Sequence, residues 1–390
     1  MLGELFARPT DDQRFPSIAA MERVARRRVP KFAADYMLGG IGREVGLSRN
    51  VNDLDQIRFT PRYLIDPIEL APATEILGHR LPQPFAPGPV GLTGLMWPDA
   101  PLHIARGAVA HGMAVGLSTY ATSSIEEMGA IAGKNLWFQL YPIKDHDIEA
   151  NLLKRFAEVG GETLFVTVDI PGPTRRERDL ANGLSVPPRR DWRTYLQAAM
   201  RPAWALETLR NGLPEFKNVI RYAPGDAKTL TALEFLGGIM AGHVGPAEIR
   251  RYRDLWPGKL VLKGVLDLTD VRTAMDCGVD GIVVSNHGGR QLDAAPTAQE
   301  VLPAIRQLAG GKLAIFADGG VRTGLDIARL LAMGADFVLL GRALTVAVAA
   351  MGARGPEHAL KILKEEFEGT LRQIGCADPR DLGRYLQTAP

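Results

Sequence analysis

Apolar and polar positions along this chain alternate between two periods. Short β-branched or apolar runs fall at 84–91, 113–118, 136–141, 163–169, 259–264, 281–287, 313–318 and 337–341. Each is too short for a helix and most end in a polar or glycine-rich corner, the pattern of a strand buried on both faces that opens into a loop. Between most of them lie segments with apolar residues three and four apart, at 101–111, 125–132, 147–159, 268–277, 297–308 and 324–333. Strands alternating with helices predict α/β architecture, and eight strands predict a single (β/α)8 TIM barrel, with a doubly wound open sheet as the competing arrangement. Polar groups gather at the strand ends: Ser118 and Thr119, Gln139 and Tyr141, Thr167 and Asp169, Lys263, Ser285 and His287, Asp318, and Arg342. A barrel brings all of these to one mouth, whereas an open sheet spreads them along an edge.

Helical spacing also covers the start of the chain, where Ile18, Met21, Val24, Ala25, Phe32 and Tyr36 recur around Pro30 until Gly39-Gly40 stops the pattern. The segment 17–63 is therefore expected as a helical N-terminal extension of one domain spanning 1–390. Taken alone, Tyr36 reads as a tyrosine packed under the barrel with its hydroxyl in solvent. One connection is anomalous, because roughly ninety residues separate Asp169 from Lys259, far more than a barrel loop needs. The stretch 170–258 is read as an insertion after the fourth strand. Its part 171–221 carries ten basic residues against five acidic, with Trp192, Leu196, Met200 and Trp204 four apart until Pro202 interrupts the helix. Such an amphipathic element serves either as a lid on its own barrel or a neighbouring subunit, or as a membrane-surface contact through 183–213. A last helix with alternating charge, 356–375, is expected on the outside of the barrel.

Composition narrows the classes without choosing one. Hydrophobic residues at 46% and charged ones at 23% suit a globular chain with a large core. The 46 basic and 44 acidic residues nearly cancel, which argues against nucleic-acid binding by the whole chain. Cys277 and Cys376 have no metal-ligand spacing and form no disulfide framework, so no metal is expected and a reducing compartment fits. The first sixteen residues have no apolar signal core, and no uninterrupted apolar run is long enough to span a bilayer.

Candidate chemistry concentrates in Val284-Ser285-Asn286-His287-Gly288-Gly289-Arg290-Gln291-Leu292-Asp293. Histidine is the side chain that exchanges protons most readily near neutral pH, the arginine fork matches a carboxylate or phosphate, and the glycines let backbone approach a ligand. Asp169 reads equally as the partner that orients His287 and as a helix N-cap. Asp318-Gly319-Gly320-Val321-Arg322 and Leu340-Gly341-Arg342 end the last two strands, where barrels commonly cradle phosphate. Lys263 emerges from a buried strand and calls for an anionic partner. Arg176 belongs to Arg175-Arg176-Glu177-Arg178, of which one arginine is expected to reach the site while the others face solvent.

That decapeptide resembles, nearly letter for letter, the active-site segment of the FMN-dependent 2-hydroxy acid dehydrogenases and oxidases. The resemblance extends from about 17 to 375 through Val29-Pro30-Lys31-Phe32 ahead of Asp35-Tyr36, Leu117-Ser118-Thr119, Trp137-Phe138-Gln139-Leu140-Tyr141, Thr167-Val168-Asp169, Lys263-Gly264 and the two glycine-arginine corners. It implies His287 as catalytic base with Asp169 its partner, and substrate contacts from Tyr36, Tyr141, Arg176 and Arg290. FMN would be held by Gly91, Ser118, Gln139, Thr167, Lys263, Ser285 and Asp318, and at its phosphate by Gly320, Arg322, Gly341 and Arg342. Within the family the chain is most similar to the membrane-associated bacterial branch of (S)-mandelate and L-lactate dehydrogenases. The matching residues are Pro89-Val90-Gly91-Leu92-Thr93-Gly94, Arg176-Glu177-Arg178-Asp179-Leu180 and Arg253-Asp254-Leu255-Trp256-Pro257. The resemblance implies oxidation of an (S)-2-hydroxy acid to a 2-oxo acid with electrons passed to a quinone, and a homotetramer in the cytoplasm, peripheral on the inner face of the membrane. The competing expectations are a soluble oxidase that reduces O2 to peroxide and a phosphate-ligand barrel of another activity. Met37, Ala100-Pro101 and Tyr120 depart from the usual family residues and leave the particular substrate open.

Overall fold

A hairpin of β1 (Thr74–Ile76) and β2 (His79–Leu81) precedes an eight-stranded sheet in the computed structural model, which describes residues 9–184, 192–223, 235 and 238–387. The sheet consists of β3 (Phe85–Pro87), β4 (Val115–Ser118), β5 (Leu136–Leu140), β6 (Thr163–Thr167), β7 (Lys259–Val265), β8 (Gly281–Val284), β9 (Ala314–Ala317) and β10 (Phe337–Leu340). All its pairings are parallel and the order is β3-β10-β9-β8-β7-β6-β5-β4, so the chain winds steadily round a barrel and the open-sheet alternative is excluded.

Hydrogen-bonded ladders join every neighbouring pair except β3 and β4. The cause is chemical. Pro84 O and Gly88 N bond β10 on one side of β3, so the alternate residues 85, 87 and 89 face β4. Two of these, Pro87 and Pro89, have no N–H to give. The seam closes by contact instead, since a Cβ on Gly116 of β4 would fall 2.4 Å from Pro89 N. Inside the barrel, Trp137, Phe165, Phe316 and Phe337 pack with centroids 5.5–5.8 Å apart. His79 of the hairpin caps that layer, edge-on to Trp137 and 3.2 Å from Thr163 Oγ1. The amino end of the barrel is thereby packed solid, and the carboxyl ends of the strands carry the cavity.

Several expected elements change shape. The N-terminal helical pattern divides at Pro30 into Ile18–Arg28 and Lys31–Leu38, followed by Val45–Gln56. Strand β8 stops at Val284, three residues before the expected end, because His287 takes left-handed backbone, φ 57. The helix Arg342–Met351 had no periodic signal, since every residue from Ala343 to Met351 is buried. The series Trp192, Leu196, Met200, Trp204 does not form one face. It spans two helices, Trp192–Ala199 and Pro202–Asn211, and Trp204 turns inward to pack edge-on against Phe32 and donate to Leu95 O at 3.1 Å. The other three of the series point outward, Trp192 at 68% exposure, and so does Leu209 at 83%. Residues 185–191 of the expected contact segment 183–213 lie outside the described residues.

If the β3–β4 seam depends on contact alone, Gly116→Ala should lower unfolding stability by about 1–3 kcal/mol. Urea denaturation with an unchanged midpoint would show that the strands can part to admit a methyl group.

Candidate active site

The helix Lys31–Leu38 ends over the barrel mouth, and its last carbonyls, which lack partners within the helix, gather the arginines of the site. Arg290 Nη1 donates to Tyr36 O at 2.6 Å and Gly39 O at 3.1 Å, with its guanidinium 5.0 Å over the Tyr36 ring. Arg342 donates to Met37 O, Gly288 O and Gly39 O at 2.8–2.9 Å. Burial lowers the pKa of Arg290, Arg322 and Arg342, and for Arg342, driven well below the ordinary value, the neighbouring Arg290, Arg322 and Arg176 add to the effect. Tyr36 therefore sits at the site with its ring under a cation, and not beneath the barrel.

His287 stands at the centre. Its Nδ1 lies 3.1 Å from each oxygen of Asp169 and its Nε2 lies 3.4 Å from Tyr141 Oη. Burial works to raise the Asp169 carboxyl, but the charge and hydrogen bond of His287, with Lys263 nearby, hold it below the ordinary aspartate value. An ionised carboxylate only accepts, so Nδ1 is the ring nitrogen that donates to Asp169, and Nε2 is turned to Tyr141 and the cavity. Burial raises the Tyr141 hydroxyl above the ordinary tyrosine value, so it stays a donor. Asp169 caps no helix, since the next one begins at Glu177. A bulge in β7 makes room for it: Gly264 has φ +105, and a Cβ there would lie 2.3 Å from Asp169 Cγ.

Lys263 finds its anionic partner in Asp318, at 2.8 Å, and also donates to Ser285 Oγ at 3.3 Å. Burial works to lower this ammonium, but Asp318 and Asp169 outweigh it and hold it above the ordinary lysine value. Ser285 Oγ donates to Asp318 and accepts from His287 N, which ties the lysine to the histidine loop. Beside them Gln139 Nε2 donates to Thr167 Oγ1 at 2.7 Å. The helix Arg342–Met351 begins at Gly341 with no side-chain cap, so its first amides face the mouth as an anion site.

A cavity of about 340 Å³ opens among these groups. Of the expected residues, Tyr36, Gly91, Gln139, Tyr141, Arg176, Lys263, His287, Arg290, Asp318, Gly320, Arg322, Gly341 and Arg342 line it. Asp169, Thr167 and Ser285 stand behind it through the bonds above, and Ser118 lines a smaller adjoining space, its Oγ accepting from Tyr120 N.

Other residues escaped sequence reasoning. Met240 reaches the cavity because the returning insertion pairs Met240 with Ile143. Asn50 and Asn286 exchange reciprocal bonds at 2.9 and 2.8 Å, which pins the histidine loop to the helix Val45–Gln56. A readable signal existed for that pair, since Asn50 interrupts the buried Gly46-Asn50-Leu54 stripe. Arg178 does not face solvent alone, because it bonds Glu44.

Fold and site together define a (β/α)8 enzyme with a carboxylate–imidazole pair set among partly buried cations that call for an anionic ligand. The chain belongs to the FMN-dependent dehydrogenase family, whose model matches residues 25–388. It is 40% identical over 373 residues to an L-lactate dehydrogenase of Caulobacter vibrioides, covering 95% of this chain and 97% of that protein. A solved structure of the monotopic membrane protein (S)-mandelate dehydrogenase superimposes with a TM-score of 0.91 at 35% identity, covering 97% of this chain and 100% of that one. Mandelate oxidase superimposes with a TM-score of 0.81 at 32% identity, covering 96% and 98%. The cofactor of this oxidoreductase is FMN. The residues fit it on charge: Arg342 is buried with main-chain carbonyls as its hydrogen-bond partners, and a bare helix N-terminus adjoins it, which suits a phosphate.

Since the folded pKa of Asp169 is depressed, its stabilising contribution is complete above the ordinary aspartate value and is lost as pH falls through the folded value. Below about pH 4 the wild type should lose stability more steeply than Asp169→Asn. Parallel pH–stability curves for the two proteins would remove the dyad from the account.

Proposed function

We propose that this enzyme oxidises an (S)-2-hydroxy acid to its 2-oxo acid and passes the electrons to a quinone-type acceptor. The observation that carries the reading is the orientation of His287, whose Nδ1 is held by Asp169 while Nε2 faces a cavity shared with Arg176, Arg290, Tyr36 and Tyr141. Arg176 and Arg290 neutralise the substrate carboxylate; Arg176 Nη1 lies 3.6 Å from Asp179, while its Nε is a buried donor with no hydrogen-bond partner among the described residues. Tyr36 and Tyr141 orient the 2-hydroxyl. His287 Nε2 takes the proton that leaves the substrate, and Asp169 stabilises the imidazolium formed. Bound FMN supplies the two-electron acceptor. Gly91, Ser118, Gln139, Thr167, Lys263, Ser285 and Asp318 serve its ring and ribityl side, while Gly320, Arg322, Gly341 and Arg342 serve its phosphate end. Lys263 keeps a positive charge beside the ring.

The insertion supports peripheral attachment to a membrane. No helix among the described residues is long and apolar enough to cross one, yet Trp192, Tyr195, Leu196, Met200, Leu206, Leu209 and Leu213 are exposed there, with Arg193 exposed among them. A neighbour at high structural similarity is itself a monotopic membrane protein. A soluble oxidase would have no use for that surface.

Anaerobic mixing of the FMN-loaded protein with lactate, mandelate, glycolate and longer 2-hydroxy acids should bleach the flavin with at least one of them. His287→Ala should keep FMN and slow bleaching by about 10²–10⁴-fold. Bleaching by none of the panel would end this reading, and rapid recolouring in air with stoichiometric peroxide would replace the dehydrogenase with an oxidase.

For the membrane surface, the variant Trp192→Ser, Leu196→Ser, Met200→Ser, Leu209→Ser should stay active and stop sedimenting with vesicles of phosphatidylethanolamine and phosphatidylglycerol. Undiminished sedimentation would place the contact elsewhere.

A further inference from the structure

Arg178 does not line the cavity and its side chain is 40% exposed, yet it is engaged on two sides. Nη2 donates to Glu44 Oε2, and Nη1 lies 3.8 Å from Asp35 Oδ1. Four residues on, Asn182 Nδ2 donates to Asp35 Oδ2 at 2.8 Å and to Arg178 O at 2.7 Å. The short helix Glu177–Ala181, which follows directly on Arg176, is thus fixed at both ends to the helix Lys31–Leu38, which carries Tyr36. A Cβ on Gly39 would come within 3.2 Å of Arg178 Cδ, so the two pieces touch.

Glu44 shows that the contact is built rather than incidental. It occupies left-handed backbone, φ 62, a conformation that a side chain other than glycine adopts at a cost. In that conformation Oε1 accepts from Gly40 N at 3.0 Å and Oε2 accepts from Arg178. One carboxylate therefore braces the turn after Tyr36 and the lid beside Arg176.

We infer that Arg178 is a positioning residue that latches the lid bearing Arg176 onto the helix bearing Tyr36, so that Arg176 meets the substrate carboxylate while Tyr36 meets the hydroxyl in fixed register. The inference rests on the reading of the cavity as a 2-hydroxy acid site. Loss of the latch frees Arg176 while leaving the His287–Asp169 dyad and the cations of the phosphate end untouched. The cost therefore falls on binding of a carboxylate and spares the chemical step.

The test uses the full-length FMN-loaded enzyme and the variants Arg178→Met, Glu44→Gln and their combination. Arg178→Met should raise KM for the best hydroxy acid by about tenfold with kcat nearly unchanged. The inhibition constant of the matching neutral carboxamide should stay at the wild-type value, because that ligand brings no charge to Arg176. The double variant should be no worse than the worse single one, as expected for partners in one contact. Independently of turnover, hydrogen exchange in peptides covering 174–184 should accelerate in each variant. An unchanged KM, or equal weakening of acid and carboxamide, would overturn the inference, as would unchanged exchange in that segment. A wild type that bleaches with no hydroxy acid defeats the parent reading alone, while the exchange measurement still decides whether the latch exists.

Discussion

The site exists because partly buried guanidinium groups have been brought together without an equal number of carboxylates. Desolvation and mutual repulsion both work on Arg290 and Arg342, with Arg176 close enough to add to the strain. The fold meets that cost chiefly with dipoles: the end of the helix Lys31–Leu38 turns its carbonyls onto Arg290 and Arg342, while Glu22 lies 3.8 Å from Arg322 and Asp179 3.6 Å from Arg176. Carbonyls hold a guanidinium in place but do not neutralise it, so on the reading proposed above the positive potential survives for the FMN phosphate and for a substrate carboxylate. A carboxylate in the same place would have stabilised the protein and silenced the site.

The His287 side of the site is separated from this cationic field by pairing. Asp169 is held below the ordinary aspartate value by His287, Asp318 pairs with Lys263, and Ser285 bonds both Asp318 and the histidine backbone. The bulge at Gly264 gives Asp169 the space to reach the imidazole. A local irregularity in β7 thus makes room for a carboxylate that follows β6 to hold a residue that follows β8.

Much of this was legible in the sequence because it is local. The barrel strands are short runs buried on both faces, and the polar residues at their ends stand in the chain where they stand in the mouth. The helix Arg342–Met351 was not legible, since a helix buried on every side has no amphipathic period. Trp204 was misassigned for a related reason: its four-residue spacing from Met200 ignores the turn at Arg201-Pro202, which rotates it into the core. Long-range polar pairs were invisible. Arg178 looked like one charge of a solvated cluster because Glu44 lies 134 residues away in the chain, and Asn50 meets Asn286 across 236.

The aromatic layer of Trp137, Phe165, Phe316 and Phe337 has a consequence for traffic. With that layer and His79 stopping the amino end, the mouth under the lid is the one described approach to His287. Among the described residues, access to the dyad is thus confined to the carboxyl ends of the strands, and the solid amino end is left to serve stability alone.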